Sequence, residues 1–182
     1  LLATHGTVFV NSQHPMLANM AQRFKAPIYY SASGDFYHCE PLDEGQLLTV
    51  RAENGDRIQT QLTGGYNFEN VAVALTVAKF FGVDARQANA AVAAFVPGNM
   101  RSQILRKGTN TIILDAYNAN PTSMQAALDN LAKASKKRKV AILGDMYELE
   151  GEAEREHALL GTALREKQIH DAYLCGPLMV SA

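Results

Sequence analysis

One stretch constrains the fold more than any other: a short apolar run that stops at a carboxylate and leads through a polar loop to a proline. Thr111 to Leu114 are apolar or β-branched, which predicts a buried strand that ends at Asp115. The turn-forming run that follows leads to Pro121, where a helical pattern begins. A strand, a loop and a helix in this order are typical of an α/β sheet.

The loop after this strand carries residues that suit a binding site. In an open α/β sheet, ligands bind in the crevice outside the carboxyl ends of the strands. Asp115, Asn118 and Asn120 lie at that position and are therefore candidate site residues. An interpretation of equal weight at this point is that Asp115 caps a turn and that the asparagines only satisfy it.

The rest of the second half predicts a series of alternating strands and helices. Val140 to Leu143 form a continuous apolar run, as expected for a parallel strand covered on both faces. Glu152 to Lys167 predict a long helix, and His170 to Cys175 predict a further strand. Together with the strand and helix around Asp115, they predict a Rossmann-like α/β domain with right-handed crossovers and a mainly parallel sheet.

The first half predicts a βα unit followed by a hairpin. Gly6 to Asn11 have the pattern of a core strand, and His14 to Phe24 carry apolar residues at helical spacing. Strands over residues 47–51 and 57–62 flank Asn54-Gly55, a strong hairpin signal because both central positions accept positive φ. An antiparallel hairpin is the expected result.

A second candidate site follows the hairpin, where two glycines precede the apolar helix predicted for Val71 to Phe81. Asn67 is suited to cap this helix, and Asn70 follows on its first turn, so the two amides can face one ligand. Free amides at a helix start attract anions, and paired asparagine amides offer a donor and an acceptor to a nucleobase or a sugar. The alternative is that the segment is simply a capped helix start.

A domain boundary is predicted where Pro97-Gly98-Asn99 interrupts the helical pattern, which divides the chain into residues 1–98 and 99–182. Arg101 stands just beyond this boundary. It is either a solvated surface charge or a group that binds phosphate, because a guanidinium recognises phosphate through paired hydrogen bonds.

Composition excludes several classes of function. A formal charge of −1 and a pI near 6.6 provide no basic field for nucleic acid. Cys39 and Cys175 lie far apart and lack a CxxC partner, which argues against a disulfide framework and a zinc site and favours reduced thiols in the cytoplasm. No apolar run reaches membrane-spanning length, so no membrane insertion is expected.

Other polar residues have structural interpretations beside functional ones. The basic run 136–139 is better explained as a helix end and the entry to a strand than as a binding patch. Asp145 and Glu148 follow a predicted strand and either face a ligand or cap the next helix. His157 fits a partly buried helix position, and no metal-ligand cluster or hydrolase triad is recognisable.

Taken in order, the motifs resemble those of the Mur ligases. From the amino end, these motifs are Gly65-Tyr-Asn-Phe-Glu-Asn70, Arg101, Asp115-Ala-Tyr-Asn-Ala-Asn-Pro121 and Leu143-Gly-Asp-Met-Tyr-Glu-Leu149. The resemblance covers essentially the whole chain. It implies the end of a central ATPase domain over residues 1–98, followed by a truncated Rossmann-like C-terminal ligase domain over 99–182.

The resemblance also implies roles for individual residues. Asn67 and Asn70 match the asparagine motif at the nucleotide site, and Asn70 is the better candidate for contacting the adenine. Arg101 matches an arginine that contacts ATP phosphates, and Asp115 matches an aspartate that the C-terminal domain contributes to the nucleotide. These two are the expected catalytic residues.

The incoming amine substrate is expected on the neighbouring loop. Tyr117, Asn118 and Asn120 would line the face where a dipeptide meets an acyl phosphate. The chain departs from the common family pattern at Tyr66, where His is frequent, at Leu114, where a second acidic residue is frequent, and at Glu150, where Gly is frequent.

The expected reaction is amide-bond formation in peptidoglycan precursor synthesis, driven by ATP with Mg²⁺, between UDP-MurNAc-tripeptide and D-alanyl-D-alanine. The phosphate loop, the magnesium ligands and the modified lysine of the family have no match and are expected upstream of Leu1, so this piece alone is expected to be inactive. The protein is expected to be a monomer. Alternatives are another Mur-type ligase, a folylpolyglutamate-type ligase, or a non-catalytic nucleotide-binding module. Those related ligases tend to carry His in the loop that here reads Tyr117 to Pro121.

Overall fold

A computed structural model describes residues 6–43, 45, 47–98 and 100–182 of the chain. It divides into two compact units, the first ending at Val96 and the second running from Pro97 to Ala182. This division falls two residues before the boundary predicted after Gly98, and Asn99 of the predicted turn lies outside the described residues. Each unit has its own hydrophobic core.

The first unit combines a short parallel pair of strands with a three-stranded antiparallel sheet. Its elements in chain order are β1 (Phe9–Asn11), α1 (Pro15–Ala21), β2 (Ile28–Tyr30), β3 (Glu40–Leu42), β4 (Leu47–Arg51), β5 (Arg57–Thr63), α2 (Phe68–Phe80) and α3 (Ala85–Ala94). β1 pairs with β2, and β4 lies between β3 and β5. The predicted βα unit is present with shorter elements, and the predicted hairpin is present with β4 as expected and β5 one residue longer.

The hairpin turn differs from the expected one in one respect. Gly55 has a φ of 86°, whereas Asn54 does not enter the left-handed region. Instead the Asn54 side chain accepts a hydrogen bond from the Asp56 amide at 3.1 Å, and Gly55 N–H donates to the Ala52 carbonyl at 2.9 Å. A single left-handed glycine therefore reverses the chain, as in hairpins with a type I turn and a bulge.

The core of the first unit lies between the antiparallel sheet and helices α2 and α3. It is lined by alternate residues of β4 and β5 and by one stripe of α2, including Val50, Ile58, Ala72 and Leu75. Asp84 caps α3, because its carboxylate accepts hydrogen bonds from the amides of Arg86 and Gln87 at 3.0 and 3.1 Å.

The second unit contains an antiparallel hairpin and a parallel βαβ unit. Its elements are β6 (Gln103–Lys107), β7 (Asn110–Leu114), α4 (Pro121–Lys133), β8 (Val140–Gly144), α5 (Ala153–Glu166) and β9 (Asp171–Cys175). β6 pairs with β7 in antiparallel register, and β8 pairs with β9 in parallel register across α5. The expected α/β class is confirmed. This unit contains both an antiparallel and a parallel sheet, because β7 pairs with β6 and β8 pairs with β9.

Helices α4 and α5 pack together over the parallel strands. The buried residues include Leu128 of α4, Ala141 of β8, and Leu160 and Leu164 of α5. This core fixes the loops at the carboxyl ends of β8 and β9. Among the described residues, no helix combines the length and apolar character needed to span a membrane.

Candidate functional site

In the first unit, the candidate site is the tight turn that joins β5 to α2. Gly64 has a φ of 79°, and a Cβ at that position would lie 2.3 Å from the Tyr66 ring. Only glycine therefore allows the aromatic ring to fold back over the backbone here. One turn of 3₁₀ helix over Gly65–Asn67 then leads directly into α2.

The structure brings Asn67 and Asn70 together, although not through the expected helix cap. Asn67 is buried, and its side chain makes no capping bond to the start of α2. Its Nδ2 donates to the Thr63 carbonyl at 2.8 Å, and its Oδ1 accepts from Asn70 Nδ2 at 3.3 Å. The prediction that Asn67 caps the helix with its side chain is wrong, because this amide instead ties the turn to the end of β5.

Of the two amides, only that of Asn70 faces solvent. Asn67 has both its donor and its acceptor engaged with the protein. The pair can present one exposed amide that is held by a buried one, which suits an oriented contact with a polar ligand.

In the second unit, Arg101, Asp115 and Tyr117 lie together at the open end of the β6–β7 hairpin. The carbon at the centre of the Arg101 guanidinium lies 3.8 Å from the centroid of the Tyr117 ring. Asp115 Oδ1 accepts a hydrogen bond from the Ser102 amide at 2.9 Å, and Ala116 N–H donates to the Met100 carbonyl at 2.8 Å. The Asp115 carboxylate thus binds the backbone next to Arg101.

This arrangement depends on two backbone conformations that the sequence did not indicate. Met100 and Ser102 have φ values of 58° and 49°, in the left-handed region that non-glycine residues rarely adopt. Ser102 is buried, whereas Arg101 between them is exposed. The guanidinium therefore extends from a strained loop whose flanks are bonded to the residues that follow β7.

The asparagines of the following loop differ in their surroundings. Asn120 Oδ1 accepts from the Ser123 amide at 2.8 Å, and Asn120 N–H donates to Ser123 Oγ at 3.1 Å. This capping box begins α4, with Pro121 in its first turn. Asn118 is exposed on the loop. Asn120 therefore has a structural bond at its side-chain oxygen, and any ligand would meet its Nδ2.

A further polar loop follows β8 and is tied to α5 by His157. His157 is completely buried, and its Nε2 accepts from the Met146 amide at 3.1 Å. Since Nε2 is an acceptor, Nδ1 carries the proton and donates to the Ala153 carbonyl at 2.6 Å. His157 is thus buried more deeply than the sequence pattern suggested, and both of its nitrogens are used within the protein.

Asp145, at the end of β8, accepts a hydrogen bond from the Leu178 amide at 3.1 Å. It joins the ends of the two parallel strands, so it has a structural role of its own. Glu148 is exposed and has a φ of 61°. Within the part of the chain that the structure describes, no group of three or more His, Cys, Asp or Glu side chains could hold a metal ion.

Comparisons with known proteins agree with this architecture. Residues 100–182 match the family model described as "Mur ligase, glutamate ligase domain". The crystal structure of MurF ligase from Thermotoga maritima in complex with ADP superposes with a TM-score of 0.78 at 20% identity, over 97% of this chain and 42% of that one. At this level of identity the superposition shows the fold alone.

Sequence relatives extend the match across both units. The chain is 31% identical over 150 residues to a protein of Treponema pallidum, covering 82% of this chain and 32% of the relative. It is 32% identical over 171 residues to one from Mycobacterium tuberculosis, covering 86% and 33% respectively. The chain thus spans about a third of the length of these curated relatives.

The chain belongs to the Mur ligase family. Within the family, both relatives bear the name UDP-N-acetylmuramoyl-tripeptide–D-alanyl-D-alanine ligase, which is the enzyme called MurF. The chain is therefore similar to a ligase of peptidoglycan synthesis.

Proposed function

We propose that this chain is part of an ATP-dependent ligase that adds D-alanyl-D-alanine to UDP-MurNAc-tripeptide. The observation that carries the proposal is the similarity to proteins of that name over 82% and 86% of the chain. In this proposal residues 1–98 are the latter part of the central ATP-binding domain, and residues 99–182 belong to the C-terminal ligase domain. The ADP bound to the Thermotoga maritima relative supports a nucleotide as the second substrate.

The proposed reaction has two steps. A carboxylate of the tripeptide attacks the γ-phosphorus of ATP, which forms an acyl phosphate and releases ADP. The free amine of D-alanyl-D-alanine then attacks the acyl carbon, the phosphate leaves, and the amine loses its proton as the amide forms. Charge develops on phosphoryl oxygens in the first step, so a fixed cation contributes most when it is oriented before the reaction.

Arg101 is the residue of this chain best placed to supply that cation. Its exposed guanidinium already has one face against Tyr117, which leaves the N–H groups at its edge to donate to phosphoryl oxygens. We assign the adenine contact to Asn70, held by Asn67, because its amide faces solvent while its partner is buried. Asp115 belongs to the same catalytic loop through its bond to the Ser102 amide.

The asparagines that follow β7 are proposed to meet the dipeptide, beside the Tyr117 ring that contacts Arg101. Asn118 is exposed on the loop before α4. Asn120 contributes its Nδ2, since its oxygen is bonded to the start of that helix. Mg²⁺ is part of this proposal as the ion that accompanies ATP.

An arginine replacement tests the role of the cation. In the full-length protein that carries this sequence, R101A is expected to lower kcat for ATP-dependent phosphate release by about 10² to 10³-fold, the usual effect of removing one stabilising donor. The matched control is R106A, because Arg106 is an exposed arginine on β6 outside the proposed site. Equal activity of R101A and R106A would show that Arg101 does not contribute to catalysis.

The isolated chain provides a second test. We expect the purified 182-residue chain to release no phosphate from ATP, because it has no recognisable phosphate loop. If this chain alone turned over ATP and R101A abolished that turnover, the proposal that the reaction also needs a phosphate loop would be wrong.

A further inference from the structure

We propose that Asp115 and Tyr117 act through Arg101, as positioning residues that hold its guanidinium ready before the nucleotide binds. In the expectation from sequence, Asp115 contributes directly to the nucleotide and Tyr117 to the dipeptide. The structure assigns both side chains a different immediate partner. The functional consequence rests on the proposed ligase activity, whereas the positioning itself can be measured without it.

The backbone on both sides of Arg101 has an unfavourable conformation. Two left-handed residues in three positions, Met100 and Ser102, are unfavourable unless the surroundings fix them. The β6–β7 ladder ends with Gln103 opposite Leu114. Beyond that pair, Ala116 N–H donates to the Met100 carbonyl and Ser102 N–H donates to Asp115 Oδ1. Both residues beside Arg101 are therefore hydrogen-bonded to the residues that follow β7.

The nature of these two bonds shows why Asp115 matters. The bond from Ala116 is made by the backbone and needs no particular side chain. The bond from Ser102 needs a side-chain acceptor, and the Asp115 carboxylate supplies it at 2.9 Å. A hydrogen bond to a charged acceptor is stronger than one between neutral groups. Asp115 therefore fixes the side of the loop that the backbone alone does not fix.

The ring of Tyr117 restricts the Arg101 side chain itself. At 3.8 Å the guanidinium is in direct contact with the aromatic face, where a cation is attracted by the ring electrons. Stacking restricts the rotamers of a side chain that would otherwise move freely in solvent. The guanidinium donors lie in the plane of the group, so stacking on one face leaves them able to bind an anion.

The charge of Asp115 can be separated from its function as an acceptor. The substitution D115N retains a side-chain oxygen that can accept from the Ser102 amide, whereas D115A removes the acceptor. If Asp115 acted on the nucleotide or a metal through its negative charge, D115N and D115A would be equally damaging. If it acts by positioning, D115N restores much of what D115A loses.

The first experiment uses NMR on the 182-residue chain without nucleotide. In D115A, we expect amide exchange at Ser102 to accelerate by about tenfold or more, as the loss of a charge-assisted hydrogen bond implies, and D115N to recover most of that protection. In Y117L, the ring-current shift of the Arg101 side-chain protons should disappear, while Y117F keeps it. Y173L is the matched control, since Tyr173 is 59% exposed and Tyr117 is 62% exposed.

The second experiment measures ligation by the full-length protein. We expect D115A to lower kcat more than it raises KM for ATP, by about 10²-fold if the guanidinium is displaced by an ångström, and D115N to restore at least tenfold of the loss. Y117F should resemble the parent, and Y117L should follow D115A. Equal losses in D115N and D115A, or unchanged Ser102 exchange in D115A, would overturn the inference. Absence of ligation by the parent itself would overturn the proposed function and leave the NMR result to decide the positioning.

Discussion

The buried contact between His157 and Met146 gives the sharpest prediction about how the second unit holds its polar loop. His157 is fully buried and Met146 is 1% exposed, so the Met146 amide has no access to water when it loses its acceptor. The substitution H157L keeps an apolar side chain in the space and removes Nε2. The substitution H157Q places a side-chain oxygen at about the same reach.

The expected cost follows from the one group that is left unpaired. An orphaned buried N–H costs about 1–3 kcal/mol. We therefore expect H157L to lower the free energy of opening at Met146 by that amount, which accelerates its amide exchange by about 5- to 150-fold. H157Q should lie closer to the parent, because Met146 N–H keeps an acceptor even though the bond to the Ala153 carbonyl is lost.

Native-state hydrogen exchange at the Met146 amide, followed by NMR, measures this directly. L159A is the control, since Leu159 lies on the same helix and is 45% exposed. A result in which H157L, H157Q and L159A all leave Met146 exchange at the parent rate would refute the reasoning, because the amide would then not depend on the imidazole.

Three further predictions follow from local geometry. N120A should destabilise the second unit by about 0.5–2 kcal/mol, measured by urea unfolding, since it removes the cap of α4. G176A should destabilise it by at least about 1–3 kcal/mol, because φ is 119° and the new Cβ would lie 2.3 Å from the Asp145 carboxyl carbon; G151A, which meets no atom within 4 Å, is its control. Burial, with a smaller effect of a nearby carboxylate, raises the pKa of the Cys39 thiol from 9.0 to about 12. The unfolded chain therefore loses this proton first, so between pH 9 and 12 the stability of the first unit should fall by up to about 1.4 kcal/mol per pH unit from this group, and C39A should flatten the decline.

Local sequence signals predicted the elements that depend on nearby residues. Asn54-Gly55 indicated the hairpin because glycine at a turn needs no distant partner. Pro121 likewise marked the start of α4. Such features are decided by the backbone within one turn, so periodicity and turn chemistry are sufficient to locate them.

The details of the candidate site were harder to predict from sequence, because they depend on contacts between residues that are distant in sequence. Asparagine is a residue type that often caps helices, yet the Asn67 side-chain amide binds the end of the preceding strand. The contact of Asp115 with Ser102 spans 13 positions and requires two left-handed residues that carry no glycine signal. The pairing of His157 with a loop amide 11 positions earlier is also set by how α5 packs over β8. Sequence patterns could name these residues but not the atoms they bind.

The most direct test of the proposed function is the identity of the amine that the full-length protein ligates. The protein is incubated with ATP, UDP-MurNAc-tripeptide and one amine at a time, and the product is identified by mass spectrometry. We predict one phosphate released per pentapeptide product with D-alanyl-D-alanine, and no product with a single amino acid of the kind that other Mur or folylpolyglutamate ligases add. Product formation with a single amino acid and none with the dipeptide would contradict the assignment.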